Sequence, residues 1–196
     1  MSKKRRIQKK KRINPKFWVF CEGKTEKSYI EYLRAKYRLP IKIIPEIIGS
    51  KISNKLISSH ISKKEKHPKD KIFLLYDADV NEVLYRLQQI KNTKLLASNP
   101  STELWFLLHY KSQSASITEE NCIKQLSNRN HNTYKKGFID ENLRKRLEEK
   151  QKEACNRAKK TVLYNNPSTN IFEFIEELEK VKKDKNNPSN QYHYSE

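Results

Sequence analysis

The chain has 196 residues, 35% of them apolar and 33% charged, against roughly 45–50% and about 25% in an ordinary globular protein. That composition allows one domain with a small core and a heavily solvated surface. The three cysteines, Cys21, Cys122 and Cys155, are odd in number and far apart, which excludes a disulfide framework and a zinc module.

The formal net charge of +19 points to a polyanionic partner, nucleic acid first among them. Eight basic residues lie in the first twelve, so the rest of the chain still carries +11. This arm is no secretory signal, because the apolar run after it spans only 17–21 and ends at Glu22. No run approaches the ~18 residues of a membrane span. The expectation is a cytoplasmic protein with no membrane partner.

In chain order, residues 17–21 read as a buried strand followed by the turn Glu22-Gly23-Lys24. Thr25 is placed to N-cap a helix bearing Tyr29, Leu33 and Tyr37 on one face. A second strand, 41–48, is interrupted by Pro45 and is therefore expected to be short or to lie at an edge. A polar, weaker helix is expected over 51–65, and 72–76 is the clearest strand. Val80, Val83, Leu84, Leu87 and Ile90 form a helical stripe, and 94–97 make a fourth short strand. Asn99-Pro100 then reads as N-cap and first residue of a helix carrying Leu104, Trp105, Leu107 and Leu108. Alternating strands and helices predict an α/β fold with a mostly parallel sheet.

From Thr118 onward no strand is expected. Residues 140–164 read as one long basic helix with Leu143, Leu147, Ala154, Ala158 and Val162 on one face. Another helix follows Asn166-Pro167, and Asn-Pro-Ser-Thr, present at 99–102 and 166–169, reads as one helix-start signal used twice. The expected organisation is a basic arm (1–14), a catalytic core (15–115), an all-helical extension (116–184) and a flexible tail (185–196).

The chemistry is expected at the strand ends, where parallel sheets place their ligands. Glu22 follows the first strand; Asp77 and Asp79 follow the third, and alternation turns both the same way while Ala78 turns aside. Such hard oxygen donors suit Mg²⁺ or Mn²⁺. Glu26, one helical turn beyond Glu22, is placed to complete a second site. A cation held there would serve phosphodiester cleavage by activating water and neutralising phosphate charge.

FWVFCEGKTE (17–26) with FLLYDAD (73–79) resembles the Toprim domain of topoisomerases, primases and a class of nucleases. SNPSTELWFLLHY (98–110), Tyr134-Lys135-Lys136 and NPSTNIF (166–172) resemble the RloB-like family within it, small bacterial proteins of restriction and phage-defence loci. The resemblance covers about 15–182. It implies a Toprim fold of Rossmann-like type, with Glu22, Asp77 and Asp79 as catalytic metal ligands, Glu26 as the second acid and Glu103 as a further one. It also implies a partner ATPase of the ABC or AAA type. No topoisomerase tyrosine domain or primase zinc module is present, which leaves a stand-alone nuclease, RNA or DNA its substrate, and a homodimer compatible with the sequence.

Among other candidates, Lys24, Tyr134, Lys135, Lys136 and Arg157 are assigned to nucleic-acid binding, and Lys136 also to stabilising transition-state charge. A solvated basic loop accounts for the lysines equally, as a salt-bridged helix does for the 140–164 stretch. Ser98 and His109 are placed behind the metal ligands; for His109 a helix-end dipole contact is the alternative. Gly-Lys-Thr at 23–25 lacks the upstream glycine of a phosphate loop, so ATP binding is not expected. The rival to a nuclease is a non-catalytic subunit that binds nucleic acid or a partner; a third reading is a basic regulatory protein docking on an acidic one.

Overall fold

The computed structural model describes residues 13–186; the basic arm and the end of the tail lie outside the described residues. Five strands form one sheet in the order β2-β1-β3-β4-β5: β1 (Lys16–Cys21), β2 (Lys42–Ile47), β3 (Lys71–Asp77), β4 (Lys94–Asn99) and β5 (Ser168–Thr169). The first four are parallel, and β5 runs antiparallel to β4. The architecture is α/β, consistent with a Rossmann-like fold.

Period-two alternation divides the central strands between two cores. Phe17, Val19, Cys21, Phe73 and Leu75 face the larger one. Helix α1 (Lys24–Tyr37) lies there with α4 (Thr102–Leu108), α5 (Glu119–Asn130), α6 (Glu141–Glu149), α7 (Gln151–Ala158) and α8 (Phe172–Asn186). Trp18, Phe20, Leu74 and Tyr76 face the smaller one, closed by α2 (Asn54–Ile61) and α3 (Asn81–Gln88). Burial on both faces is why β1 and β3 are continuous apolar runs. Helix α4 is buried at all seven positions, so it serves as a post inside the larger core.

Pro45 does lie in an edge strand. The amides of Lys42 and Ile48 donate to β1 and the residue before it, so those of 43, 45 and 47 face the outer edge, and proline has none to offer there.

The second half departs from expectation. It is not all-helical, because Ser168 and Thr169 extend the sheet. Neither does it form a separate layer: Phe174 of α8 packs 4.8 Å from Phe73 and 6.5 Å from Phe17. The long helix is two, parted at Lys150, and it ends at Ala158, which leaves Val162 exposed.

The two Asn-Pro pairs do not start helices. Both peptide bonds are cis, and each asparagine side chain ties a neighbouring loop instead. Asn99 donates to the Tyr164 carbonyl, while Asn166 exchanges two bonds with the Ile117 backbone. The two Asn-Pro-Ser-Thr copies lie against each other, Asn99 opposite Ser168. Helix α4 starts from Ser101. At the head of α1 the N-cap position is Gly23 rather than Thr25, and Glu26 reaches back to the Gly23 amide at 2.8 Å.

Because β5 is so short, a side chain continues its work. Buried Asn170 accepts the Ala97 amide at 2.6 Å and donates to the Leu95 carbonyl at 2.9 Å, imitating one more residue of strand along β4. Asn170→Ala leaves both backbone groups unpartnered, and urea denaturation should show a loss of about 2–4 kcal/mol. Asn170→Asp, which keeps the acceptor but turns a buried carboxylate toward the Leu95 carbonyl and the Glu173 carboxylate, should be destabilised at least as much.

Candidate active site at the carboxyl ends of the strands

Connections leave the sheet in opposite directions from β1, which leads to β2, and from β3, which leads to β4. That reversal opens a crevice beyond the carboxyl ends of β1 and β3, the position where open α/β sheets bind ligands. Glu22 and Asp77 stand at those two ends.

Glu22 closes the gap between the strands. Its amide donates to the Leu75 carbonyl at 3.1 Å, and its carboxylate Oε2 accepts the Asp77 amide at 3.0 Å. Asp77 Oδ1 in turn accepts the Thr102 amide at 2.9 Å and faces the Thr102 hydroxyl at 3.3 Å. Glu26 and Glu103 come from the first turns of α1 and α4, and both are buried. Glu103 Oε1 accepts the Tyr134 hydroxyl at 2.9 Å and that of Thr25 at 3.4 Å.

The four acids feel one another. Burial pushes Asp77 up to about 9, reinforced by the negative charges of Glu26, Glu22 and Glu103. Burial also raises Glu26, with Glu103 adding to it against several hydrogen bonds. No lysine or arginine among the described residues forms an ion pair with any of the four. Asp79 sits apart, exposed in the bend before α3, while Ala78 between the two aspartates is buried.

The donor chemistry suits a hard divalent cation: several carboxylates, mutually repelling and without a counter-charge. Their present arrangement is less complete. Among the described residues no group of three or more His, Cys, Asp or Glu side chains is set to hold a metal ion, and Glu22, Glu26, Asp77 and Glu103 each have one oxygen engaged by a protein donor.

A loop roofs this crevice from the second half of the chain. Gly137, at φ +76, donates its amide to the Thr25 hydroxyl at 3.1 Å, and its carbonyl accepts Ser28 at 2.7 Å. A side chain at 137 would need that left-handed backbone and would set its Cβ 2.9 Å from the Lys24 Cβ. Lys24 and Lys135 are exposed beside the loop. Lys136 pairs with Glu119, and its ammonium also feels Glu103 and Asp77.

Several expected binding residues have other work. Tyr134 is buried beside Phe106 with its hydroxyl committed to Glu103, so it cannot grip a phosphate. Arg157 donates to the Leu108 carbonyl at 2.6 Å and fastens α7 to the end of α4. His109 is buried and neutral, held down to about 3 by desolvation, its Nδ1–H donating to the Trp105 carbonyl at 2.9 Å. That neutrality removes the charge–dipole contact expected at a helix end. Ser98 bonds Thr169 at 2.8 Å across β4 and β5, and its carbonyl receives the Ala78 amide at 2.8 Å, steadying the loop after Asp77. Thr25, Thr102, Glu119 and Gly137 are additional parts of the site. Gly137, one of only three glycines in the chain, was the one conspicuous signal among them.

The raised Asp77 makes a pH prediction for the metal-free protein. Below about pH 4 the group is protonated in the folded and unfolded chains alike. From there to about 9 the unfolded chain releases the proton and the folded chain retains it, so stability falls as pH rises. Melting temperatures in EDTA should decline across that window, and Asp77→Asn, which keeps an acceptor for Thr102, should flatten the decline.

The comparisons with known proteins bear on this arrangement through the family alone. No curated protein and no solved structure gives a significant match. A family model described as RloB-like protein matches residues 17–178, a span from the first strand into the first half of α8 that takes in every acid and lysine of the crevice. The chain belongs to the RloB-like family.

Proposed function

We propose that this protein is a Toprim-type nuclease that cleaves RNA or DNA phosphodiesters with Mg²⁺ or Mn²⁺, acting as the effector of a bacterial anti-phage system with an ATPase partner. One observation carries the reading: Glu22, Glu26, Asp77 and Glu103 come together at the reversal point of the sheet, and no described lysine or arginine forms an ion pair with them. The defence setting and the ATPase rest on the family resemblance.

Glu22 and Asp77 are the residues to hold the cation, with Glu26 and Glu103 beside them; Asp79, which stands apart, is not one of the set. A cation bound there supplies Lewis-acid polarisation of the phosphate and a more acidic water. The protein's own part is positional. The Thr102 amide fixes Asp77, the Asp77 amide fixes Glu22, and the Tyr134 and Thr25 hydroxyls fix Glu103. Lys136, bonded to Glu119 at rest, is close enough to Glu103 and Asp77 to offset charge developing on the scissile phosphate.

A second reading, a non-catalytic nucleic-acid-binding subunit, draws on the absence of a ready-made ligand set among the described residues. Manganese titration separates the two. Under the nuclease reading Mn²⁺ raises the melting temperature and supports cutting. Glu22→Gln and Asp77→Asn then lose both responses while remaining folded, with cleavage down on the order of 10²–10³-fold or more. A protein that Mn²⁺ neither stabilises nor activates is the binding subunit. Lys136→Ala should lower kcat more than nucleic-acid affinity if the ammonium acts in the transition state.

A further inference from the structure

The edge of the sheet opposite the acids carries the reverse charge. All four parallel strands begin with a lysine: Lys16, Lys42, Lys71 and Lys94. With neighbouring strands ~4.8 Å apart, this row extends across about 14 Å. The 62–70 loop lies over it. Asp70 accepts the Lys16 amide at 2.6 Å, and the Lys16 ammonium reaches the Glu65 carbonyl, a neutral partner that leaves its charge unbalanced.

That loop exposes Lys63, Lys64, Lys66 and Lys69, and Lys91 is exposed in the turn leading to β4. None of these five forms an ion pair with a described carboxylate, whereas Lys71 and Lys94 pair with Glu177 and Glu173. A cleft of about 590 Å³ opens at the same edge, with Lys66, His67, Lys71 and Lys94 on its walls and Trp18 and Phe73 beneath. The basic arm is covalently continuous with this edge, ending at Arg12, just before Lys16. Lysines thus outnumber the carboxylates Glu65, Asp70, Glu173 and Glu177 at this edge, whereas the opposite end gathers Glu22, Glu26, Asp77 and Glu103.

We infer that the lysine edge is a second polyanion-binding surface, separate from the carboxylate crevice, that holds the sugar–phosphate backbone of a nucleic acid. Strands of six and seven residues place the two surfaces roughly 20 Å apart. Flexible point charges without apolar anchors suit phosphates read without regard to sequence. A protein partner would need a buried apolar centre to its interface. Of the large exposed apolar residues, Ile47, Val80, Tyr85, Phe138, Val162 and Leu163 lie on other segments, and Ile13 alone among the described residues adjoins this edge, too little for such a centre. The inference depends on nucleic acid being the partner and not on whether the protein cuts it.

The test is salt-dependent binding of the full chain to a labelled oligothymidylate of about thirty nucleotides, followed by fluorescence anisotropy in EDTA. Two variants of equal charge are compared. One carries Lys63→Ala, Lys64→Ala, Lys66→Ala and Lys69→Ala; the control carries Lys55→Ala, Lys124→Ala, Lys152→Ala and Lys160→Ala, exposed residues of the first turn of α2, of α5, of α7 and of the turn after α7. The log–log slope should fall by about 0.7 for each phosphate no longer neutralised, hence by up to roughly 3 in the first variant, and stay near wild type in the control. Equal decreases in both would overturn the inference in favour of diffuse charge. An unchanged slope in the first variant, with its melting curve intact, would also overturn it and turn attention to an acidic protein on that edge. Since no metal is present, the outcome is independent of the nuclease reading.

Discussion

The bond from the Asp77 amide to the Glu22 carboxylate is where sheet and site become one structure. Where β1 and β3 diverge, the backbone ladder runs out and a side chain takes its place. The carboxyl used this way stands beside three more acids in a half-closed crevice. The neighbouring amides and hydroxyls do for these carboxylates what water would do in an open site, and they do so incompletely. Asp77, the most affected, retains its proton far above the usual carboxylate range. The described residues thus hold a concentration of negative charge that no ion pair among them offsets, the condition under which an exogenous cation binds by relieving repulsion as well as by forming bonds.

Continuity of the larger core explains why the chain is not a catalytic half with an appendage. Helix α4 has no exposed residue, and its surroundings come largely from α5, α7 and β5, all contributed by the second half. Through Tyr134 and Gly137 the same half reaches the acids themselves. A disturbance near Asp140 or in α5 therefore has a direct route to Glu103, through packed side chains and a hydrogen bond and not through a hinge.

Much of this could be read in the sequence, and the limits are physical. The strands at 17–21 and 72–76 announced themselves because both faces are buried, and the topological rule for parallel sheets placed Glu22 and Asp77 correctly. Pro45 marked an edge because a missing amide has one meaning inside a sheet. Local signals failed where distant contacts decide. Asn-Pro-Ser-Thr looks the same whether asparagine caps its own helix or ties a loop at Ile117 or Tyr164. Tyr134 beside two lysines resembles a nucleic-acid contact until Phe106 and Glu103, remote in sequence, enclose it. Strand β5 has two residues, too few for any periodicity to register.

Two stretches of the sheet are denied to further strands, by different chemistry. On β2 the middle outward amide is missing at Pro45, so an added strand would lack a donor at the centre of its ladder. Along β4 the outer places are filled by β5 and the side chain of Asn170. Pairing of another chain's strand is obstructed along both. A mutation that restores an amide at 45 would therefore expose a hydrogen-bonding template that the present chain lacks.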